Sequence, residues 1–185
     1  EFLDELYSGI ESLTDQFIFS LAGGDTNSWN GPFAFFDFLT GSPMGIRPVL
    51  RSGAKPGDRL FVTGALGGSL PSRRHLTFEP RLEFARWLIN HTTVNAMMDL
   101  SDGLSMDLYR MMEAINTSAV LQADAIPTHT DVSVHLSDWQ RLDVALGDGE
   151  DFELLVSVPE SAVASLNRKA AENQFPLHEV GKVVS

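Results

Sequence analysis

Residues 96–108 read Ala96-Met97-Met98-Asp99-Leu100-Ser101-Asp102-Gly103-Leu104-Ser105-Met106-Asp107-Leu108. A short apolar run ends at a carboxylate, a turn of small and polar residues follows, and Leu104, Leu108, Met111 and Met112 then recur at helical spacing. The pattern predicts a strand over 96–100, a tight turn, and a helix from about Gly103 to Ala114. Asp99 and Asp102 then stand at a strand end and a helix start, where two carboxylates can ligate Mg²⁺, a cation that takes oxygen donors. The other reading is that Ser101 or Asp102 caps the helix, where the dipole favours an acceptor. Capping accounts for Asp102 and gives Asp99 no role, and both readings stay open at this point.

Outward from this stretch, strands are expected at 60–63, 120–123, 152–158 and 180–184, and helices at 80–90 and 161–172. Upstream, Phe2, Leu3, Leu6, Ile10, Leu13 and Phe17 share one helical face. Short strands are expected at 17–22 and 32–39. The second is dense in Phe33, Phe35, Phe36 and Phe38, which suits a core or a subunit interface. Gly and Pro between Gly45 and Pro48 mark a junction, so the expected domains are 1–46 and 47–185. Strands and helices alternate with a few long connections, which predicts a mixed α+β and α/β architecture.

Three further stretches carry chemistry. Gly23-Gly24-Asp25-Thr26 follows an expected strand; its glycines let a ligand approach the backbone, and Asp25 is a hard-cation ligand or a turn acceptor. In Arg51-Ser52-Gly53-Ala54-Lys55-Pro56-Gly57-Asp58, two cations four residues apart suit phosphate oxygens, while Pro56-Gly57-Asp58 is also an ordinary turn. The loop Gly64 to Ser69 has the glycines to cradle an anion but lacks the Gly-Lys-Ser/Thr ending of a P-loop. In Gly147-Asp148-Gly149-Glu150-Asp151-Phe152-Glu153-Leu154, four carboxylates crowd two glycines. Either the turn is simply solvated, or the repulsion is compensated by a cation, an Arg or a substrate ammonium.

The composition narrows the classes. The chain has 185 residues, 13 Lys+Arg against 25 Asp+Glu, a net charge of -12 and 43% hydrophobic residues. That balance excludes general nucleic-acid binding and disfavours anionic membranes, while leaving enough apolar residues for a core. There is no cysteine, hence no disulfide and no thiolate chemistry. The five His show no zinc-like pairing. No apolar run reaches membrane-spanning length.

Taken in order, Leu21-Ala22-Gly23-Gly24-Asp25-Thr26, Arg51 to Asp58, Val62-Thr63-Gly64, Pro80-Arg81, Asp99 to Leu104 with Asp107-Leu108, and Gly149 to Leu154 resemble the thiamine-monophosphate kinase family. That family belongs to the superfamily of aminoimidazole ribonucleotide synthetase. The resemblance implies the end of an N-terminal ATP-binding and dimerising α/β domain, followed by an α+β C-terminal domain of the synthetase-like fold. It implies ATP and thiamine monophosphate as substrates, thiamine diphosphate as product, Mg²⁺ as cofactor, a homodimer, and a cytoplasmic enzyme. By the same resemblance Gly24, Asp25, Arg51 and Ser101 are ATP contacts, Asp25, Asp99 and Asp102 are Mg²⁺ ligands, and Glu150 touches the acceptor. No dedicated general base is expected. The family's N-terminal Gly-Asp-Asp segment and its C-terminal aromatic have no counterpart in these residues, so the 185 residues by themselves are expected to be inactive. The alternatives are another ATP-dependent enzyme of the superfamily with a different small acceptor, or a non-catalytic binding or dimerisation module.

Overall fold

The structure, a computed structural model, describes residues 1–43, 45 and 47–185. The chain divides into two compact units, Glu1–Ser42 and Pro43–Ser185. The junction expected at 46/47 falls on Ile46, outside the described residues.

The first unit holds one helix, α1 (Phe2–Phe17), opened by a reciprocal Glu1 and Asp4 capping box and closed by Ile18 in the left-handed conformation. Phe2 of its first turn meets Phe33 edge to face, 5.0 Å between ring centres. The strands expected at 17–22 and 32–39 do not form; α1 runs on through Phe17, and 19–29 and 33–43 have no regular structure. A strand is stable only when a neighbour takes its N–H and C=O groups, and neither segment has such a neighbour among the described residues.

The second unit is built on a five-stranded antiparallel sheet: β1 (Arg59–Val62), β2 (Ala96–Asp99), β3 (Ser118–Leu121), β4 (Leu154–Val158) and β5 (His178–Val184), in the order β2-β4-β1-β5-β3. Side-chain alternation gives it two buried faces. Leu60, Val62, Ala96, Leu155, Val180 and Val183 face one core with Leu104, Leu108, Met111 and Met112 of α4 (Leu104–Glu113) and Ala145 of α5 (Asp138–Gly147). Phe61, Val156 and Val158 face the other, with Phe84 and Leu88 of α3 (Leu82–His91) and Leu166 of α6 (Glu160–Glu172). A single turn, α2 (Ser69–Ser72), follows β1.

The expected strands and helices of this unit form close to the anticipated positions, with two differences. β4 starts at Leu154 rather than Phe152, because Glu150 and Phe152 both have positive φ, 63° and 52°, which breaks the ladder. Helix α5 was not anticipated. Its signal is local: the Ser137 hydroxyl accepts from the Gln140 amide, and the Gln140 side chain reaches back to Ser137.

The register fixes where chemistry is possible. Asp99 pairs with Leu154, and Val62 with Leu155. The loops leaving β1 and β2 and the loop entering β4 therefore meet at one end of the sheet. Among the described residues no helix is long and apolar enough to cross a membrane.

Phe61 is fully buried at the centre of the second core. Phe61→Ala is expected to lower the unfolding free energy by about 3–5 kcal/mol, read from urea denaturation followed by circular dichroism.

Candidate functional site

At that end of the sheet the pairing of β2 with β4 continues irregularly. Leu100 N–H donates to Glu153 O at 2.8 Å, Phe152 N–H to Leu100 O at 2.9 Å, and Glu150 N–H to Ser101 O at 2.8 Å. The approach is close enough to demand glycine: Gly103 has φ 92°, and a Cβ there would lie 2.9 Å from Gly147 O. Asp99, Ser101, Asp102 and Glu150, which are 48 or more residues apart across the two stretches, are thus brought to one place.

The four carboxylates of the acidic loop have different fates. Glu153 is buried; it accepts the Thr63 hydroxyl at 2.7 Å and both arms of the Arg81 guanidinium, at 2.9 and 2.6 Å. Asp151 is buried and accepts the Gly67 amide at 2.9 Å and Arg74 at 3.0 Å. Asp148 accepts the Gly68 amide at 3.0 Å. The glycine loop after β1 does cradle anions, but they are the protein's own Asp148 and Asp151. Of the readings open in the sequence, compensation by an Arg holds for Asp151 and Glu153, through Arg74 and Arg81, and backbone amides add to it at Asp148 and Asp151. Glu150 alone of the four has a carboxylate with no hydrogen-bond partner among the described residues, although its backbone is clamped by Ser101 O on one side and by the Ser69 hydroxyl, 2.6 Å from Glu150 O, on the other. Its left-handed φ costs about 1–2 kcal/mol for a non-glycine residue. Phe152, with the same φ sign, is stacked on Phe78 at 4.2 Å.

At the start of the Asp99 to Gly103 turn, the Asp99 side chain is exposed and makes no hydrogen bond or ion pair among the described residues. Asp102 pairs with Arg110. Neither Ser101 nor Asp102 caps α4 through its side chain; Gly103 is the N-cap, and Asp107 reaches back to the Ser101 and Asp102 amides at 3.0 and 2.9 Å. Capping by Asp102 is therefore corrected: the turn is closed by a residue inside the helix.

The other residues singled out in the sequence lie elsewhere. Arg51 is exposed in a single 3₁₀ turn, Arg51–Gly53, which packs through Gly53 against Asn95, at the opposite end of β2 from Asp99. Gly24 and Asp25 belong to the first compact unit, in the irregular stretch after α1. No group of three or more His, Cys, Asp or Glu among the described residues is arranged to hold a metal unaided. Arg74, Arg81 and Asp107 were not identified as functional in the sequence. Arg74 and Arg81 take their roles from carboxylates 77 and 72 residues away, and Asp107 takes its role from the amides six and five residues before it.

An antiparallel sheet covered by helices on both faces, with strand-end carboxylates gathered at one end, defines a class. Residues 55–185 match the family described as AIR synthase related protein, C-terminal domain, and the chain belongs to that family. Its similarity is more particular: the thiamine-monophosphate kinase of Rhodopirellula baltica is 39% identical over 186 residues, covering 100% of this chain and 57% of that protein. The chain thus spans little more than half the length of this relative. Among solved structures, thiamine-monophosphate kinase from Stenotrophomonas maltophilia K279a superposes with a TM-score of 0.64 at 24% identity, over 74% of this chain and 50% of that one. AaThiL complexed with AMPPCP and TMP gives 0.57 at 23% identity, over 74% and 48%. These likenesses establish the shared fold.

Arg81→Met strands the buried Glu153 charge and is expected to cost about 3 kcal/mol of stability. Arg81→Met/Glu153→Met should recover part of it in a double-mutant cycle of urea melts. Burial holds the Asp151 carboxyl above its ordinary 3.8, while the Gly67 amide and Arg74 act in the other direction. The folded state takes up this proton more readily than the unfolded chain. The contribution is therefore complete below pH 3.8 and is lost as pH rises through the folded-state value. The unfolding free energy of the wild type minus that of Asp151→Asn should accordingly fall as pH is raised from 4 toward neutrality; a difference that rises with pH contradicts the assignment.

Proposed function

We propose that this protein transfers a phosphoryl group from ATP to thiamine monophosphate, giving thiamine diphosphate and ADP. The observation that carries the reading is a pair of carboxylates with uncommitted side chains, Asp99 at the end of β2 and Glu150 in the acidic loop, on two stretches joined by backbone hydrogen bonds from 100–101 to 150–153, while the other carboxylates of that loop are spent on the fold. The similarity to thiamine-monophosphate kinases along the whole chain, and the homologous fold complexed with AMPPCP and TMP, support the choice of substrates.

In this reading residues 1–46 are part of a nucleotide-binding, dimer-forming domain and 47–185 form the C-terminal domain. Gly24, Asp25, Arg51 and Ser101 contact ATP. The donor chemistry suits Mg²⁺: exposed carboxylate oxygens, too few to hold it alone, as expected for an ion that completes its shell with water and substrate phosphates. Asp25, Asp99 and Asp102 are the residues that would hold it. Bound there, Mg²⁺ supplies neutralisation of the phosphate charges.

The rest is done by the chain. Ser101 offers a hydroxyl beside the turn, and Asp107 fixes that turn through its two amides. Glu150, presented on a rigid backbone, accepts a donor or faces the cationic ring of the acceptor. The acceptor phosphate is already an anionic nucleophile at neutral pH, so no side chain needs to remove a proton, and rate comes from alignment and charge stabilisation. Thiamine diphosphate formation from ATP fits a homodimeric cytoplasmic enzyme that engages neither nucleic acid nor membrane.

Steady-state kinetics of the intact protein, with each substrate varied in turn and both ADP and thiamine diphosphate measured, tests this. Glu150→Gln is expected to raise KM for thiamine monophosphate about tenfold and to leave that for ATP within about twofold. ATP consumption without thiamine diphosphate, or an effect of Glu150→Gln confined to ATP, overturns the assignment.

A further inference from the structure

Arg110 lies between two carboxylates that have unequal freedom. Its Nη1 donates to Asp107 Oδ1 at 2.9 Å and to Asp102 Oδ2. Asp107 is fully buried, and its other oxygen is occupied by the Ser101 and Asp102 amides. A buried carboxylate stripped of its donors is costly, so Asp107 does not leave. Asp102 is half exposed, at 50%, and water can replace its partner at small cost. One guanidinium nitrogen is thus shared between a fixed anion and a releasable one, and the releasable one is the carboxylate read above as a ligand for a divalent cation.

We infer that Asp107 is a positioning residue that acts through Arg110: by holding the guanidinium it limits the claim of Arg110 on Asp102, and so sets how available Asp102 is to a divalent cation. The inference rests on the reading of Asp102 as a cation ligand. It makes a specific demand on Asp107→Asn. The amide oxygen of Asn continues to accept from Ser101 and Asp102, so the turn is kept, but its NH₂ then faces Arg110 and cannot accept from it. Arg110 passes wholly to Asp102, and an incoming cation has to displace it. Arg110→Met removes the competitor altogether.

The experiment is a titration of the protein with Mn²⁺ at 0.15 M salt, with free Mn²⁺ read by electron paramagnetic resonance, using wild type, Asp107→Asn, Arg110→Met, the double variant, and Asp102→Asn to define the binding that depends on Asp102. Moderate salt damps the general attraction of an acidic chain. The expected result is Asp102-dependent affinity about two- to fivefold weaker in Asp107→Asn and about two- to fivefold stronger in Arg110→Met, the span of a surface ion pair. In the Arg110→Met background Asp107→Asn should have no further effect. That non-additivity is what a remote charge does not produce. An equal weakening by Asp107→Asn in both backgrounds overturns the inference and leaves the cation site standing. Absence of any Asp102-dependent binding overturns both. If circular dichroism shows Asp107→Asn unfolded, Arg110→Met decides alone: unchanged or weaker binding overturns the inference.

Discussion

Three backbone hydrogen bonds beyond the regular end of the β2–β4 ladder, linking 100–101 to 150–153, hold this domain's chemistry together. Without them the Asp99 turn and the acidic loop are two separate surface features. With them, carboxylates that repel one another are forced into one neighbourhood, and each has to be dealt with. The protein does so by supplying donors: Gly67 and Gly68 amides, the Thr63 hydroxyl, and two arginines drawn from the loop and turn that follow β1. The glycine loop, the acidic loop and the segment 73–81 therefore form one electrostatic unit. Loss of any member exposes a buried charge in another.

This arrangement separates structural acid from chemical acid. Asp151 and Glu153 are buried and saturated. Asp107 is buried and saturated by the turn that it closes. Asp99 is exposed with its carboxylate unpaired, Glu150 is half-buried with no partner for its side chain among the described residues, and Asp102 is exposed but held by an arginine that water can replace. A phosphoryl-transfer site needs acids of the second kind, placed by acids of the first.

How much of this was legible follows from the range of each interaction. The strand before Asp99, the turn and helix α4 could be read because apolar spacing and turn chemistry are local. The acidic loop could be read as a place of crowded charge for the same reason. What could not be read is which acids were spent: Asp151 and Glu153 look no different in sequence from Glu150, and the distinction is made by Arg74 and Arg81, 72 or more residues away. Helix α5 carried a capping box at Ser137 and Gln140, a local signal that its weak apolar periodicity obscured. The segments 17–22 and 32–39 show the converse: apolar composition favours strand, but pairing is a property of neighbours, not of the segment.

The left-handed backbone at Glu150 and Phe152 has a consequence for anyone who alters this domain. Both positions have the φ that glycine adopts without penalty. A redesign that scored only backbone comfort would put glycine at each. Its first move would delete the one carboxylate of the loop that the fold leaves uncommitted, and its second would unstack Phe152 from Phe78. At Glu150 backbone comfort is opposed to ligand handling and at Phe152 to ring stacking, so heat tolerance has to be sought elsewhere in the molecule.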